Sequence, residues 1–467
     1  MSPMALTFEE LQRSCLGTEV EVPVLGGKRR YVNFDNAATT PALRQVRDAV
    51  DRFLENYSSV HRGTGYKSLL STEVFERCRR RVLDFVHASP ADDTVIFGKN
   101  TTEMVNKLSR RFGLKLDDVV LISDAEHHSN DLPWRKVARV VRIPVDHRGA
   151  MELSRIEDEL KRARGRGRVV AVCGASNVTG YQPPIHDIAA LAHRHGASLF
   201  ADCAQLAPHR AIDVRPPGDP GHLDFVAFSA HKMYAPYGVG VLVGPKRFFD
   251  HGDPDHVGGG MVEMVTPDRA YWSPSPDRDE PGTPNLLGAV ALARAIGCLE
   301  EVGFPAIAEH ERRLTAHALK RLREVPGLTL YGDAEPHSGE DRIGVIPFNL
   351  AGMNHALLAA ALAWEGGVGV RHGCFCAHPF IAHLLRLSDR DAERMIDRIL
   401  ASDRSDVAGL VRMSFGLFNT EREVDLVVEL LRELAAGGPR GRYRFDPAWG
   451  EYRAEGNEAE IDPALGI

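Results

Sequence analysis

The chain has 467 residues, and its 57 Lys and Arg stand against 64 Asp and Glu, for a formal net charge of -7. This length accommodates two or three units with sizeable cores, and the acidic balance argues against a nucleic-acid partner. No apolar run is long enough to cross a bilayer, and Met1–Glu10 lacks a basic-then-apolar leader, so the expectation is a cytoplasmic protein with no membrane partner. Seven cysteines, an odd number in a long chain, do not make a disulfide framework. Cys78, Cys173, Cys203 and Cys298 fall in helix or strand patterns and read as core fillers, and only Cys374 and Cys376 stand out.

Thr7 is placed to cap a short amphipathic helix over 8–16, expected to pack on the smaller of two units. Tyr31–Pro41 passes from a strand into a polar turn rich in small residues, and His61-Arg62-Gly63 lies in a Gly-rich loop. A basic helix from Glu73 leads to a strand over 94–97, which feeds Asn100-Thr101-Thr102-Glu103 and a further helix. Hydroxyls and backbone N–H groups at such a helix N-terminus suit a phosphate. Strand 119–122 ends in Glu126-His127-His128, strand 140–145 follows, and strand 169–173 ends in Ser176-Asn177. Tandem histidines also occur in metal sites, but no carboxylate or thiol cluster of suitable spacing follows them, and no metal is expected.

After a helix over 185–195, the apolar run Ala197–Ala201 ends in Asp202, and Leu223–Phe228 ends in Ser229-Ala230-His231-Lys232. If both are strands of one parallel sheet, Asp202 and Lys232 meet at its carboxyl edge, where open α/β sheets bind ligands. A lysine partly desolvated there has its pKa lowered toward nucleophilic use. An amine and a carboxylate on opposite sides of one ring are what pyridoxal phosphate requires. Residues 238–243 are expected to return antiparallel, and the alternation of strands and helices argues a mainly parallel sheet covered on both faces. Residues 257–285 turn to Gly, Pro and charge and read as a long functional loop ending in Gly282-Thr283-Pro284-Asn285, after which a helix bridges to the smaller unit.

The stretch Val370–Pro379 holds Arg371, His372, Cys374, Cys376 and His378. A thiol attacks sulfur only as thiolate and needs nearby cations and exposure, which this stretch offers. Two other readings stay open: a structural pair of thiols, and an extended strand whose alternating His372, Cys374, Cys376 and His378 face one metal. An amphipathic helix over 389–401 precedes Arg412, and the tail after Gly437 carries Tyr443, Phe445, Trp449 and Tyr452, able to dock on a surface, then acidic residues such as Glu455 and Glu458.

Taken together, Asp202-x-x-Gln205, Ser229-x-His231-Lys232, Asp35–Pro41, Gly282–Asn285 and the Cys376 loop resemble the class V aminotransferase group of fold type I pyridoxal-phosphate enzymes. Within that group the chain is most similar to group II cysteine desulfurases and selenocysteine lyases, from about residue 31 to 425. The resemblance implies an α/β fold with a large domain built on a mainly parallel seven-stranded sheet and a smaller α+β domain. Its implied boundaries are an N-terminal segment 1–30, a cofactor domain 31–285, a small domain 286–436 with the cysteine loop, and a tail 437–467. It implies pyridoxal 5'-phosphate as cofactor, held by Thr101, Thr102, His127, Asn177, Asp202, Gln205, Ser229, His231 and Lys232, with His127 stacked on the ring and relaying protons. Thr283 is implied to reach the other protomer's phosphate in a homodimer, and His61 the neighbouring active site. Arg412 is implied to grip the substrate carboxylate, aided by Asn177 and Arg371, with Ala37 leaving room for the substrate.

Cys376 follows Arg371 by five positions and precedes Ala-x-Pro, as the family's nucleophile does. The implied reaction converts L-cysteine to L-alanine, with the sulfur carried as a Cys376 persulfide to an acceptor protein or small molecule that the sequence does not name. Cys374-Phe375 stands where the family has two histidines, and the Cys-Phe-Cys string is similar to molybdenum cofactor sulfurases. Ala230, Ala235 and Tyr237 also depart from the pattern, and the 377–411 stretch is longer than usual. These departures keep open a selenocysteine lyase, a C–S lyase on a larger thioether or an aminotransferase, and, in another class, a cofactor-binding regulator.

Overall fold

Short runs dominated by Val, Ile, Leu, Ala and Phe become the seven strands of one sheet: β1 (Asp93–Gly98), β2 (Val119–Ser123), β3 (Arg139–Ile143), β4 (Gly167–Cys173), β5 (Ser198–Asp202), β6 (Phe225–Ser229) and β7 (Gly240–Pro245). The computed structural model describes residues 6–61, 63–335, 342–457 and 460–466. Arg62, Glu458 and residues 1–5, all read above, lie outside them. The strand order is β1-β7-β6-β5-β4-β2-β3. β3, β2, β4, β5 and β6 pair in parallel, and β7 runs antiparallel to both β6 and β1. All strands but β7 therefore end at one edge, where Gly98, Ser123, Cys173, Asp202 and Ser229 stand side by side. The expected mainly parallel sheet of seven strands is what forms. Apart from the edge strand β3, its strands are buried on both faces and read as near-continuous apolar runs, as parallel strands covered by helices do.

One face packs on a cluster with Val170, Leu199 and Phe228, the other on Ile96, Ile122, Phe200 and Trp134. Fully burying side chains of this size contributes about 1.5–3 kcal/mol each. Helix α1 (Phe8–Arg13) is shorter than the expected 8–16, with Thr7 and Glu10 forming a reciprocal capping box. α1 brings Leu11, and the turn after it Cys15, into the first of these clusters. The hairpin after it instead bonds elsewhere, Leu25 N donating to Trp364 O at 2.7 Å. The opening segment thus divides between two cores. Helix α2 (Thr101–Arg111) starts at the carboxyl end of β1. Residues 257–285 carry a two-stranded hairpin, Val262–Val265 with Ala270–Trp272, and few buried residues.

Helix α3 (Leu286–Val302) buries Leu292 and Ile296 in the same cluster as the large sheet, and the chain crosses to the second core through α4 (Phe304–Leu322). That second core lies under a four-stranded sheet of β8 (Leu328–Leu330), β9 (Val345–Leu350), β10 (Arg371–Gly373) and β11 (Leu410–Ser414), in the order β8-β9-β11-β10. Helix α5 (His355–Gly366) and helix α8 (Glu421–Gly437) pack on it. Between β10 and β11 lie the cysteine turn, α6 (His378–Leu384) and α7 (Asp389–Leu400). After α8 the tail forms a hairpin, β12 (Tyr443–Asp446) with β13 (Glu451–Ala454). No helix of the described residues is long and apolar enough to cross a membrane.

Candidate active site

A cavity of about 770 Å³ opens where the large sheet's carboxyl edge meets β10, β11 and the cysteine turn. Lys232, Asp202, His127, Cys376 and Arg412 all line it. Lys232 ends a single 3-10 turn, Ala230–Lys232, that follows β6, and Asp202 ends the adjacent parallel β5. Burial pushes the Lys232 ammonium down to about 8, against the opposing pull of the Asp202 charge. Burial also raises the Asp202 carboxyl, which accepts one backbone N–H, from Ala204 at 3.0 Å. A buried carboxylate so sparsely bonded is short of a positive partner.

The β1–α2 turn is tied to the lysine strand. Thr101 N donates to Ser229 Oγ at 2.8 Å, and the two hydroxyls share a bond of 2.6 Å. Thr102 and Ser129 hydroxyls pair at 2.7 Å. A Cβ at Gly240 would collide with the Asn100 backbone, so glycine is needed where β7 passes the start of this helix. The entry loop is held the same way, with Thr40 N and Thr39 Oγ1 each donating to His231 O at 3.0 Å. Gln205 Nε2 donates to Ala37 O at 2.6 Å, and both residues line the cavity. His231 also lines it, its imidazole pushed down to about 4 by burial and by Lys232.

His127 is set by the loop after β2. Its Nδ1 accepts the Ser129 N–H at 3.1 Å, so the neutral ring carries its proton on Nε2. Burial, with Lys232 nearby, pushes its pKa down to about 3. Beneath the loop, Glu126 accepts from Ser123 Oγ, Asn130 Nδ2 and Cys173 N at 2.6, 2.8 and 3.0 Å, which ties the ends of β2 and β4 together.

On the opposite wall, β10 and β11 pair so that Arg371 and Arg412 are cross-strand neighbours. Like charges so placed repel. Asp35 stands between them, bonding Arg371 at 3.0 Å and Arg412 at 3.2 Å. Arg412 is 3% exposed, donates from Nη1 to Asn177 O at 2.9 Å and lies 4.9 Å from the Phe375 ring. Its buried Nε has no partner among the described residues. An unspent buried donor of this kind marks capacity for a ligand.

The thiol sits on a tight turn, not an extended strand: Gly373, Phe375 and Cys376 have φ of 99°, 50° and 55°. Such values are uncommon in non-glycine residues and need support from outside. Asn177 Nδ2 donates to Phe375 O, His128 N donates to Cys376 O, both at 2.7 Å, and Ala377 N donates to Cys374 O at 2.8 Å. The turn removes the alternation that would have faced His372, Cys374, Cys376 and His378 to one metal. Cys376 is exposed, whereas Cys374 is half-buried and its thiol is pushed up by burial. All seven cysteines are free, and burial raises Cys78 to about 12 and Cys298 to about 11.

His128 and His378 stack at 4.9 Å beside the turn. His128 Nε2 accepts the His378 backbone N–H at 3.3 Å and lies 3.1 Å from His378 Nδ1. An accepting Nε2 requires the His378 proton on Nδ1, which leaves His378 Nε2 as a base.

Thr283 and His61 do not line the cavity of their own chain. Thr283 is exposed, and His61 is 3.4 Å from Glu76. The segment before Thr283 is nonetheless fixed, since Glu280 takes a bidentate pair from buried Arg79 at 2.6 and 2.8 Å.

The profile of the aminotransferase class-V family matches residues 32–427. The chain belongs to that family. It is 34% identical over 411 residues to a probable cysteine desulfurase of Halalkalibacterium halodurans, covering 86% of this chain and 92% of that one. A cysteine desulfurase of Salmonella dublin is 33% identical over 404 residues, 84% of this chain and 91% of its own. Among solved structures, the apo cysteine desulfurase of Thermococcus onnurineus superposes with a TM-score of 0.79 at 29% identity, covering 94% of this chain and all of that one. An Escherichia coli cysteine desulfurase gives 0.71 at 28%, over 86% and 94%. The class-V aminotransferase chain therefore has the α/β fold that the strand pattern implied.

For several side chains that shape this class-V site, sequence reasoning did not show where they meet. Asp35 was read only as part of a turn, though a carboxylate just after a strand signals charge at a sheet edge. The His128–His378 pair and the tail residues Phe445 and Trp449, which also line the cavity, come together only through long-range packing.

Proposed function

We propose that this protein is a pyridoxal-phosphate-dependent cysteine desulfurase that converts L-cysteine to L-alanine and receives the sulfur on Cys376 as a persulfide. One observation carries the reading: a half-buried lysine with a pKa lowered to about 8, a buried carboxylate and an exposed thiol share one cavity. The names of its relatives support it. The residues present fit the cofactor, since Asp202 lacks a cationic partner on one side and the α2 N-terminus offers hydroxyls and N–H groups on the other. Lys232 would hold it through Nζ, Asp202 would pair with its ring nitrogen, and Thr101, Thr102 and Ser229 would take its phosphate. His127, Asn177, Gln205 and His231 complete its surroundings. When bound, the cofactor supplies an electron sink that acidifies the substrate Cα–H.

The chain's own groups do the rest. Arg412, oriented by Asp35, holds the substrate carboxylate with Arg371 and Asn177, and Ala37 leaves room beside it. Lys232 Nζ moves the proton at Cα. Cys376 Sγ attacks the substrate sulfur; an S–S bond forms as C–S breaks, and the carbon takes a proton, so that cysteine and a thiol become alanine and a persulfide. In the same reading Thr283 and His61 serve the cavity of a second copy in a homodimer, and the enzyme works in the cytoplasm. Residues 31–285 form the cofactor unit and 286–436 the unit carrying the cysteine, flanked by 1–30 and 437–467.

The test incubates the purified holoenzyme with L-cysteine and a reductant and measures alanine and sulfide for the wild type, Cys376→Ser, Cys374→Ser and Lys232→Ala. Equal alanine and sulfide that vanish in Cys376→Ser and Lys232→Ala are expected. Loss of turnover in Cys374→Ser with Cys376→Ser still active would overturn the assignment of the nucleophile.

A further inference from the structure

The outer end of the cavity is built from chain that the family profile does not reach together with the segment between Cys376 and Arg412. The profile ends at residue 427, and the β12–β13 hairpin follows it. The hairpin is docked, not loose. Glu365, on α5, accepts from Arg440 N, Gly441 N and Tyr443 Oη at 2.9, 3.0 and 2.8 Å. Its loop then wraps Arg404, the residue three positions beyond the end of α7's last turn at Ala401. Arg404 N donates to Pro447 O at 3.0 Å, and Arg404 Nη1 donates to Ala448 O. In consequence Ile399 and Arg404 from one segment and Phe445 and Trp449 from the other line the same cavity as Lys232 and Cys376.

Charge singles out Arg404. Among the described lining residues, which also include five histidines, Lys232, Arg371, Arg404 and Arg412 are the lysine and arginine cations, and Asp202 is the only carboxylate. Asp35 serves Arg371 and Arg412, and Asp202 serves the lysine end. Nearby Arg398 is paired with Asp403 and Asp406. Arg404 is half-buried and makes no ion pair among the described residues, so most of its guanidinium donors remain for something that enters the cavity. Trp449, 70% exposed and lining the same cavity, offers an apolar surface left largely open by the described residues.

We propose that Arg404 and Trp449 form an outer subsite for the sulfur acceptor, and that this acceptor is a small thiol bearing a carboxylate. The inference rests on the Cys376 persulfide proposed above. A guanidinium binds carboxylate through paired N–H groups, and an indole face covers the short carbon chain that joins carboxylate to thiol. The wall made by α7 and the hairpin favours a small molecule over a folded protein. In the transfer step the acceptor thiolate attacks the outer sulfur of the persulfide. A new S–S bond forms to the acceptor, the old one breaks, and its electron pair leaves on Cys376 as thiolate, so no further oxidant or reductant is consumed.

The test compares 3-mercaptopropionate, 2-mercaptoethanol and cysteamine as acceptors for the holoenzyme with L-cysteine, in the wild type, Arg404→Gln, Arg404→Lys and Trp449→Phe. The ratio of kcat/KM for the carboxylate thiol over the neutral thiol should fall about tenfold in Arg404→Gln, the loss of roughly one charge-assisted hydrogen bond, and less in Arg404→Lys. A readout free of turnover is quenching of tryptophan fluorescence by the unreactive 3-(methylthio)propionate, expected in the wild type, weaker in Arg404→Gln and absent in Trp449→Phe. Limited proteolysis reports whether the hairpin stays docked. The proposal is overturned if Arg404→Gln slows all three thiols alike, or if only a protein acceptor shows saturable transfer. If no alanine forms in any protein while quenching follows Arg404, the desulfurase reading fails and the anion subsite stands.

Discussion

The two ends of the cavity are built on opposite principles. At the lysine end, Asp202 ends one strand and Lys232 follows its parallel neighbour, every residue of the two but Ser198 being buried, and Asp202 and Lys232 themselves sit on backbone of ordinary φ. At the thiol end, Cys376 is exposed on a turn with two consecutive non-glycine residues at positive φ, held by bonds from Asn177 and His128 that arrive from the other core. One end takes its precision from a ladder of hydrogen bonds and burial; the other takes it from a few contacts across an interface between cores. A group that must stay put belongs on the first kind of support, and a group that must reach two partners in turn belongs on the second.

The sharpest break of this comparison is Lys232→Ala, expected to lower alanine formation on the order of 10⁴-fold and to remove the absorbance of the bound cofactor, read by spectrophotometry. Cys376→Ser should lower sulfur release on the order of 10³-fold while that absorbance stays, which separates the two ends; loss of the cofactor in this variant would show that they are coupled. Next, Asp35→Asn removes the shared counter-charge of Arg371 and Arg412. Loss of charge-assisted bonds worth about 1.5–3 kcal/mol should lower kcat/KM for cysteine about 10–100-fold, measured by initial rates.

The lysine end should also show its burial in pH. In the proposed reading the apoprotein captures cofactor through neutral Nζ, and with the ammonium pushed down to about 8 the capture rate should rise steeply as pH approaches 8 from below and level off above it. A lysine at its ordinary value would keep rising to about pH 10.4, and stopped-flow absorbance decides between them. The smallest effect expected is that of His378→Gln. It removes the side-chain member of the His128 contact and a ring base beside the thiol, so sulfur transfer should fall a few-fold, matching about 1 kcal/mol, with a flattened pH profile.

The sequence by itself determined the large sheet, its order of strands and helices, and the residues that end each strand, because a buried parallel strand writes its burial as an unbroken apolar run and its end as the first polar residue. Asp202, Ser229 and Lys232 were legible for that reason, and the capping of α1 by Thr7 for a similarly local one. Tertiary structure alone decided how Cys376 is presented, since its left-handed turn is supported by Asn177 and His128, both more than 190 residues away in the chain. It also decided that Asp35 lies between two arginines and that the tail closes the cavity beside Arg404. Such contacts leave no periodic mark, because each joins single residues from segments that meet only after both cores have formed.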